Sequence, residues 1–364
     1  MRVVPTLGTP RVTACRVPTD QPESDGTLKW DATTIVIVQI DAGGTTGIGY
    51  SYGDPAVGTY INNTLADAVA GLNAFDIPAA HRAMLHALRN DGRAGIASMA
   101  VSAVDNALWD LKARLLEVSV AQLLGQAQNS IAIYGSGGFT SYSDDRLARQ
   151  LGDWAGAGIK SVKMKIGRDP QRDPERIRVA RGAIGNDCGL FVDANGAFTP
   201  KQALAMAETC ARFDVRWFEE PVSSDDLAGL RLLRDRGPAG MAITAGEYGY
   251  DPCYFRRMLE AGAVDVLQAD ATRCGGVTGF LAAARLAEAF QVPISAHCAP
   301  ALHLHICAAL PHAQHIEWFH DHVRLEHMLF DGAPGQDQGR VTPDASRPGF
   351  GLSIKSSEVA QAAI

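Results

Sequence analysis

The chain has 364 residues, of which 46% are hydrophobic and 20% are charged. This composition is that of an ordinary globular protein and excludes disorder, collagen and coiled coil as the main architecture. The formal net charge of -7 argues against a nucleic-acid partner, because phosphate binding needs clustered positive charge. No apolar run approaches the roughly 18 residues of a membrane span, and the N-terminal residues lack the apolar core of a secretory signal.

The seven cysteines form an odd set without a CxxC spacing. A disulfide scaffold is therefore not expected. Reduced thiols in a cytoplasmic protein are the simplest interpretation.

The first part of the chain has the pattern of a small α+β domain. Residues 33–41 are rich in β-branched side chains, Gly43 and Gly44 follow, and residues 45–52 return, which predicts a β-hairpin. Between residues 94 and 124 apolar side chains recur at helical spacing, which predicts one or two packed helices. We expect this α+β domain to span residues 1–125.

After Ser130, short β-like runs alternate with helical stretches, and a helix is predicted after seven of the eight runs. Most runs are continuously apolar, as expected for parallel strands that are covered on both faces. Eight such units in roughly 200 residues predict an α/β fold with a TIM-like barrel. A doubly wound sheet is the alternative, although no GxGxxG follows the first run. The runs begin at Ile131, Ser161, Leu190, Val215, Ala242, Val264, Val292 and His315.

Charged or polar side chains stand at the ends of seven consecutive runs, about one βα unit apart. In a barrel of this type the carboxyl ends of the strands carry the active site. Packing alone would not select these side chains, since each carries a large desolvation cost without a partner. They are Lys163 and Lys165, Asp193 and Asn195, Glu219, Glu247, Asp270, His297 and Glu317.

Three carboxylates, Asp193, Glu219 and Glu247, end the third, fourth and fifth runs. Neighbouring strands lie about 4.8 Å apart, so the three groups can converge. Bare carboxylates so close together would raise one another's pKa, and a divalent cation removes this repulsion. Oxygen ligands alone favour Mg²⁺ or Mn²⁺ over Zn²⁺. Three separate surface ion pairs are the alternative.

Two groups could act as bases. Lys163 and Lys165 are two residues apart on one strand, so both point into the barrel, and each ammonium group should lower the pKa of the other. Asp270 on the neighbouring strand can orient His297 and raise its basicity. The alternatives are a solvated strand edge and an ordinary core histidine. A metal and Glu317 could neutralise a substrate carboxylate, so that Lys165 or His297 removes the α-proton and an enediolate forms.

Taken together, these motifs resemble those of the enolase superfamily and, within it, the mandelate racemase subgroup. The resemblance covers nearly the whole chain, including the helical segment of residues 107–125. The motifs are KMK at 163–165, VDANGAF at 192–198, FEEP at 218–221, AGE at 245–247, QADATRCGGVTG at 268–279, SAH at 295–297 and IEWF at 316–319.

The resemblance implies a (β/α)₇β barrel over residues 126–345, capped by residues 1–125 and completed by residues 346–364, which return to the cap. It also implies a homo-oligomer and one Mg²⁺ per active site. The implied ligands are Asp193, Glu219 and Glu247, with Glu219 chosen over its neighbour Glu220.

The resemblance further implies a role for each remaining strand-end residue. Lys165 and the His297–Asp270 pair would be the two acid/base groups. The other implied roles are contact with the substrate carboxylate for Lys163, hydrogen-bond donation for Glu317 and contact with a substrate hydroxyl for Asn195.

The substrate is expected to be a small carboxylate, most simply a sugar acid. The polar segment of residues 19–31, treated as a loop, offers Lys29 and Trp30, and Tyr134 and His320 are further candidates. Solvated loop charges are the alternative. We expect dehydration to a 2-keto-3-deoxy acid. Racemisation or epimerisation of a 2-hydroxy acid and sugar lactone cycloisomerisation use the same groups.

Two other classes of protein fit the sequence less well, a non-catalytic relative and a zinc hydrolase. A non-catalytic relative would usually have lost a ligand or a base, and none is lost. A zinc hydrolase would need an HxH at the first strand end, whereas His303 and His305 lie in a helical stretch where residues two apart do not share a face.

Overall fold

A computed structural model of the protein describes residues 4–364. Its N-terminal part contains a three-stranded antiparallel sheet in the order β1–β2–β3. The hairpin predicted from residues 33–52 is confirmed, with left-handed Gly43 and Gly44 at its turn. The strands are β1 (Arg11–Ser24), β2 (Lys29–Ala42) and β3 (Thr45–Tyr52).

The interpretation of residues 19–31 as a loop is wrong, because most of this segment is the end of the β1–β2 hairpin. Only residues 25–28 lie between the two strands. The Asp25 carboxylate accepts the backbone N–H groups of Thr27 and Leu28, each at 2.6 Å, which fixes a tight turn. At its tip, a Cβ on Gly26 would overlap the carbonyl oxygens of Ala194 and Ile166. The hairpin therefore rests directly on the barrel.

Helices follow the sheet, and the longest one packs across it. A side chain at Gly49 would overlap the backbone of this helix, so glycine allows the close approach. The predicted helical stretch of residues 94–124 is confirmed as two helices. The elements are α1 (Ala56–Tyr60), a π-helical turn (Ile61–Leu65), α2 (Ala66–Val69), α3 (Ile77–Ala87), α4 (Ile96–Leu115) and α5 (Val120–Leu124).

Eight parallel strands form a closed barrel, because β11 pairs with β4. A helix follows every strand, including the last, after which none was predicted. The strands and helices in order are β4 (Ile131–Gly137), α6 (Asp144–Gly156), β5 (Ser161–Lys165), α7 (Asp173–Ile184), β6 (Gly189–Asp193), α8 (Pro200–Ala211), β7 (Val215–Glu219), α9 (Leu227–Arg236), β8 (Ala242–Ala245), α10 (Pro252–Glu260), β9 (Val266–Ala269), α11 (Gly276–Ala289), β10 (Ile294–Ala296), α12 (Pro300–Ala308), β11 (Ala313–Phe319) and α13 (His320–Leu329).

The C-terminal residues tie the barrel to the N-terminal part. A bridge between Cys15 and Ala363 brings the chain end back to β1. Buried Asp110 on α4 accepts the N–H groups of Ile48 and Phe350, so one carboxylate joins the sheet to this segment. The last elements are β12 (Phe330–Asp331), β13 (Arg340–Val341), β14 (Ser353–Ile354) and α14 (Ser356–Ala362).

Aromatic side chains fill the centre of the barrel. Tyr134, Phe191 and Trp217 pack together there, and the rings of Phe191 and Trp217 stack with centroids 5.1 Å apart. The barrel is therefore a packed core with its polar groups at one end. Within residues 4–364, none of the helices is long and apolar enough to cross a membrane.

The unpredicted helix α13 packs against the sheet through buried polar contacts. Tyr50 donates its hydroxyl to the Glu326 carboxyl at 2.5 Å, and the Ala301 N–H reaches the other oxygen at 3.1 Å. Burial raises the pKa of Glu326 to about 8. This carboxyl group is therefore neutral in the folded protein at moderately acidic pH.

We expect Glu326 to make the protein less stable as the pH rises. Its pKa is raised on folding, so its contribution is complete below the unfolded pKa of about 4.3 and is lost as the pH approaches the folded value of about 8. Glu326→Gln removes this loss. The melting temperature of the variant minus that of the parent should therefore increase from about pH 5 to about pH 8. Exposed Glu208→Gln is the control. Parallel pH profiles of Glu326→Gln and the parent would contradict the assignment.

Candidate active site

The register of the barrel strands sets the site. Lys165 pairs with Asp193, Asp193 with Glu219, and Glu219 with Thr244, so these residues lie on one level at the carboxyl ends of β5 to β8. Because the barrel is closed and its strands are parallel, side chains at this level form a ring around the barrel mouth.

The structure brings the three predicted carboxylates together. Asp193, Glu219 and Glu247 each offer an oxygen, and these atoms all lie within 4.8 Å of one another. All three side chains are buried. Glu220 stands outside this group with a left-handed backbone, and one of its buried oxygens has no hydrogen-bond partner. The donor set is therefore all oxygen and fits a hard divalent cation.

Both lysines lie against these carboxylates. Lys163 Nζ is 2.5 Å from Glu219, 2.7 Å from Glu317 and 3.2 Å from Asp193, and Lys165 Nζ is 2.6 Å from Asp193. The expected lowering of the lysine pKa values is wrong for this arrangement. Burial lowers the pKa of each lysine, but the surrounding carboxylates outweigh it and raise both values. The carboxylates thus set the charge of the lysines here.

His297 faces the carboxylates from the other side of the mouth. Its Nδ1 lies 2.8 Å from Asp270, as predicted for the pair, and its Nε2 lies 3.0 Å from Glu247. Burial lowers the pKa of His297, but the Cys298 sulfur and then the adjacent carboxylates raise it well above its usual value. Asp270 therefore fixes the ring so that Nε2 points into the mouth.

Glu317 is held by groups on β4, on β5 and just after β10. One oxygen accepts the Ser136 hydroxyl at 2.6 Å and contacts Lys163, and the other accepts the Cys298 N–H at 3.0 Å. Burial raises the pKa of Glu317, but Lys163 and His297 more than offset this and hold it well below the usual range. In this arrangement Glu317 is ionised and accepts hydrogen bonds, whereas the resemblance implies a donor.

Two residues at the site were missed from the sequence. Arg273 Nη1 reaches the Glu247 carboxylate at 3.4 Å and its backbone oxygen at 3.2 Å. Cys298 Sγ lies 3.2 Å from His297 Nε2 and 3.4 Å from Glu317. Each follows a predicted residue closely along the chain, Arg273 after Asp270 and Cys298 after His297. This closeness along the chain is the one feature of the sequence that could have identified them as site residues.

Asn195 and Tyr134 have different surroundings. Asn195 has a left-handed backbone, its N–H binds Asp193 at 2.9 Å, and its buried side-chain oxygen has no hydrogen-bond partner. Tyr134 is fully buried in the barrel centre, with Lys163 Nζ 5.4 Å from its ring centre. It therefore supports Lys163 from within the barrel.

Lys29 and Trp30 lie on the β1–β2 hairpin, and His320 begins α13. Trp30 donates to Glu23 at 2.9 Å and packs edge-on against Phe139, whereas Lys29 is exposed. His320 lies 3.2 Å from Asp20. His322, the other histidine of FHDH, stacks on Tyr52 and accepts the Ala299 N–H at 3.3 Å. Burial lowers the pKa of His322 to about 3, so its ring is neutral.

Two cavities lie near the site, and neither is lined by the carboxylate trio, the lysines or His297. One of about 530 Å³ is lined by Trp30, Tyr52, Phe319 and His322, between the sheet and the barrel. Another of about 540 Å³ is bordered by Asn195, Glu220 and Tyr248. Either volume is in the range of small-molecule sites.

The sequence and the fold of this chain are shared with known proteins. Residues 146–359 match the model described as enolase C-terminal domain-like, and residues 11–125 match the mandelate racemase / muconate lactonizing enzyme N-terminal domain. The chain belongs to the mandelate racemase / muconate lactonizing enzyme family. The predicted membership and the predicted barrel are thereby confirmed.

Individual family members resemble the chain over nearly its full length. A mandelate racemase/muconate lactonizing enzyme-like protein from Rubrobacter xylanophilus is 52% identical, with a TM-score of 0.97, covering 99% of this chain and 100% of that one. The 3,6-anhydro-alpha-L-galactonate cycloisomerase of Streptomyces coelicolor is 30% identical over 358 residues, 96% of each chain. L-Talarate dehydratase from a Polaromonas species, solved with Mg and L-glucarate, is 29% identical, with a TM-score of 0.90, covering 99% and 98%.

Replacing Lys163 of this chain by methionine should destabilise the fold. The change leaves Glu219 and Glu317 buried without their nearest cation, and losing one partner of a buried ion pair costs about 3–5 kcal/mol. Urea unfolding in a chelating buffer measures the loss. Exposed Lys160→Met is the control. Equal stability of both variants would show that Lys163 does not compensate these carboxylates.

Proposed function

We propose that the protein is a Mg²⁺-dependent enzyme that removes the proton α to a carboxylate of a sugar acid, with dehydration to a 2-keto-3-deoxy acid as the overall reaction. One observation carries the proposal: Lys165 and His297 stand on opposite sides of the carboxylate trio. A small carboxylic acid between them would present its α-carbon to a base on either face.

Asp193, Glu219 and Glu247 are the proposed magnesium ligands. Their oxygens are the ligand type that Mg²⁺ prefers, and their mutual repulsion is the electrostatic problem that a cation resolves. Bound to these ligands, Mg²⁺ would supply positive charge that acidifies the α-proton. With that charge present, Lys165 would be available as the base.

The remaining residues transfer protons or hold the substrate. Lys165 removes the α-proton on one face, and His297, oriented by Asp270, protonates the departing β-hydroxyl. Lys163 binds the substrate carboxylate, and Glu317, 2.7 Å from Lys163 beside the trio, donates a hydrogen bond to it as the protonated acid. Ser136 and the Cys298 N–H keep Glu317 in place.

The choice of a sugar acid rests on the polar mouth and on the relatives. The cavity lined by Trp30 and His322 combines aromatic surface with polar groups, which suits a polyhydroxylated chain. Asn195, with an unpartnered side-chain oxygen, is available for a substrate hydroxyl. The relatives include a dehydratase solved with L-glucarate and a cycloisomerase of a sugar acid.

Lactone cycloisomerisation is the second candidate, because the 30% identical cycloisomerase matches over 96% of its length. Racemisation or epimerisation needs the same two bases. We also propose, from composition and resemblance, a homo-oligomer in the cytoplasm. The seven cysteines, all of them free thiols here, support a reducing environment.

Magnesium should raise the melting temperature of the protein, because binding to the folded state alone stabilises it by about 2.7 kcal/mol at 100 times the Kd. Asp193→Asn should abolish most of this effect by removing one of three ligands. Exposed Asp187→Asn should retain it. A full magnesium response in Asp193→Asn would place the ion elsewhere.

A panel of mono- and diacid sugars in D₂O with Mg²⁺ tests the reaction, followed by NMR and mass spectrometry. Loss of water with formation of a 2-keto acid is the expected result. Deuterium at the α-carbon without loss of water would indicate a racemase or epimerase instead. Lactone products would favour the second candidate, and inertness of the whole panel would exclude sugar acids.

Variants of the bases extend this test. Lys165→Ala and His297→Asn should each lower dehydration by about 10²–10⁴-fold, the usual contribution of a general acid or base. If Lys165 removes the proton, Lys165→Ala also loses exchange at the α-carbon, whereas His297→Asn retains it. The reverse pattern would exchange the two roles.

A further inference from the structure

A second group of possible metal-ligand atoms lies beside the carboxylate trio. His297 and Glu317 each act in the proposed reaction, but the cluster that they form with the Cys298 thiol has no role in it. His297 Nε2, Cys298 Sγ and a Glu317 oxygen face one another, and all three side chains are buried. The His–Cys distance is 3.2 Å, the Cys–Glu distance 3.4 Å and the His–Glu distance 3.7 Å. Nitrogen, sulfur and oxygen are the donors of zinc sites.

These distances match a preformed zinc site. Ligand atoms at 2.0–2.3 Å from a tetrahedral zinc ion lie about 3.3–3.6 Å apart. The three observed separations are within a few tenths of an ångström of that range, so little movement is needed to accept the ion. A thiolate also discriminates strongly against Mg²⁺, which prefers oxygen ligands.

The surroundings of the three ligands are also those of a metal site. Asp270 lies 2.8 Å from His297 Nδ1, which is the carboxylate–histidine arrangement that orients metal-bound imidazoles. The backbone holds Cys298 in a left-handed conformation, and its N–H binds Glu317. The thiol proton would leave to solvent when the metal binds, as for other coordinated thiols.

We propose that His297, Cys298 and Glu317 form a second metal site, selective for thiophilic divalent cations such as Zn²⁺, whose occupation inhibits the enzyme. Inhibition follows because the ion holds the nitrogen that must carry a proton and a carboxylate that must face the substrate. This consequence rests on the proposed function, whereas binding of the ion does not. Excess Mg²⁺ should relieve it only in part, because the two sites share no ligand but lie close together, with His297 Nε2 3.0 Å from Glu247.

Cobalt is the first probe, because a Co²⁺–thiolate bond has a charge-transfer absorption that oxygen and nitrogen ligands lack. Co²⁺ is titrated into protein saturated with Mg²⁺, and Zn²⁺ is then added. We expect the absorption to appear with one equivalent of Co²⁺ and to disappear on displacement by Zn²⁺. Absence of the absorption in the parent protein overturns the proposal.

Cys298→Ser tests the assigned ligand, and Cys253→Ser, at the one exposed cysteine, is the matched control. The absorption should be lost in Cys298→Ser and kept in Cys253→Ser. Zinc affinity should fall by about 100-fold or more in Cys298→Ser, since even residues behind the ligands contribute 10–100-fold. Melting temperatures establish that both variants fold. An absorption that depends on Cys253 overturns the proposal.

The cluster of Asp20, Glu23 and His320 could also bind an ion, and it contains no sulfur. His320→Ala should therefore leave the cobalt–thiolate absorption unchanged. If it removes that absorption, the site is not the one proposed.

Inhibition is measured separately as the Zn²⁺ concentration that halves α-proton exchange, relative to each variant's own rate without zinc. Cys298→Ser should need about 100-fold more Zn²⁺ than the parent. Thiolate absorption together with an unslowed reaction overturns the inhibitory role. Thiolate absorption in a protein that acts on no sugar acid supports the metal site and contradicts only the proposed function.

Discussion

The structure depends on ion pairs at the barrel mouth, where buried lysines and buried carboxylates neutralise one another. The single ammonium group of Lys163 contacts three carboxylates, those of Asp193, Glu219 and Glu317, and none of these side chains meets solvent appreciably. Isolated charges could not remain ionised there, because each would shift its pKa and become neutral. The group is therefore stable only as a set, and the same low polarity strengthens every electrostatic contact with a substrate.

The N-terminal sheet and the barrel complete each other around this set of charges. The tip of the β1–β2 hairpin, at Gly26, lies against the loops after β5 and β6. On the opposite side Tyr50 and Tyr52 meet Glu326 and His322 of α13. Neither part would bury its polar contacts alone. Closure of the mouth is thus a property of the interface, and the cavity of about 530 Å³ is lined from both sides of it.

The barrel and the site constellation were predictable because each signal is periodic. A strand end recurs about once per βα unit, and the register of a closed parallel barrel turns that spacing into one ring of side chains. The positions of Lys165, Asp193 and His297 follow from this rule alone. The hairpin of residues 11–42 was not predictable in the same way, because Asp25 and Gly26 shape a tight turn in a polar segment that has the composition of a loop.

The sequence by itself determined the family, the order of the barrel strands and the identity of the groups that meet at the strand ends. The tertiary structure decided their electrostatic state. Lys163 and Lys165 carry raised rather than lowered pKa values, Glu317 is ionised, and Cys298 adds a thiol beside His297. The physical reason is that pKa values and ligand geometry depend on distances of a few ångströms between groups on different strands. Those distances are set by packing, which the linear order of residues does not contain.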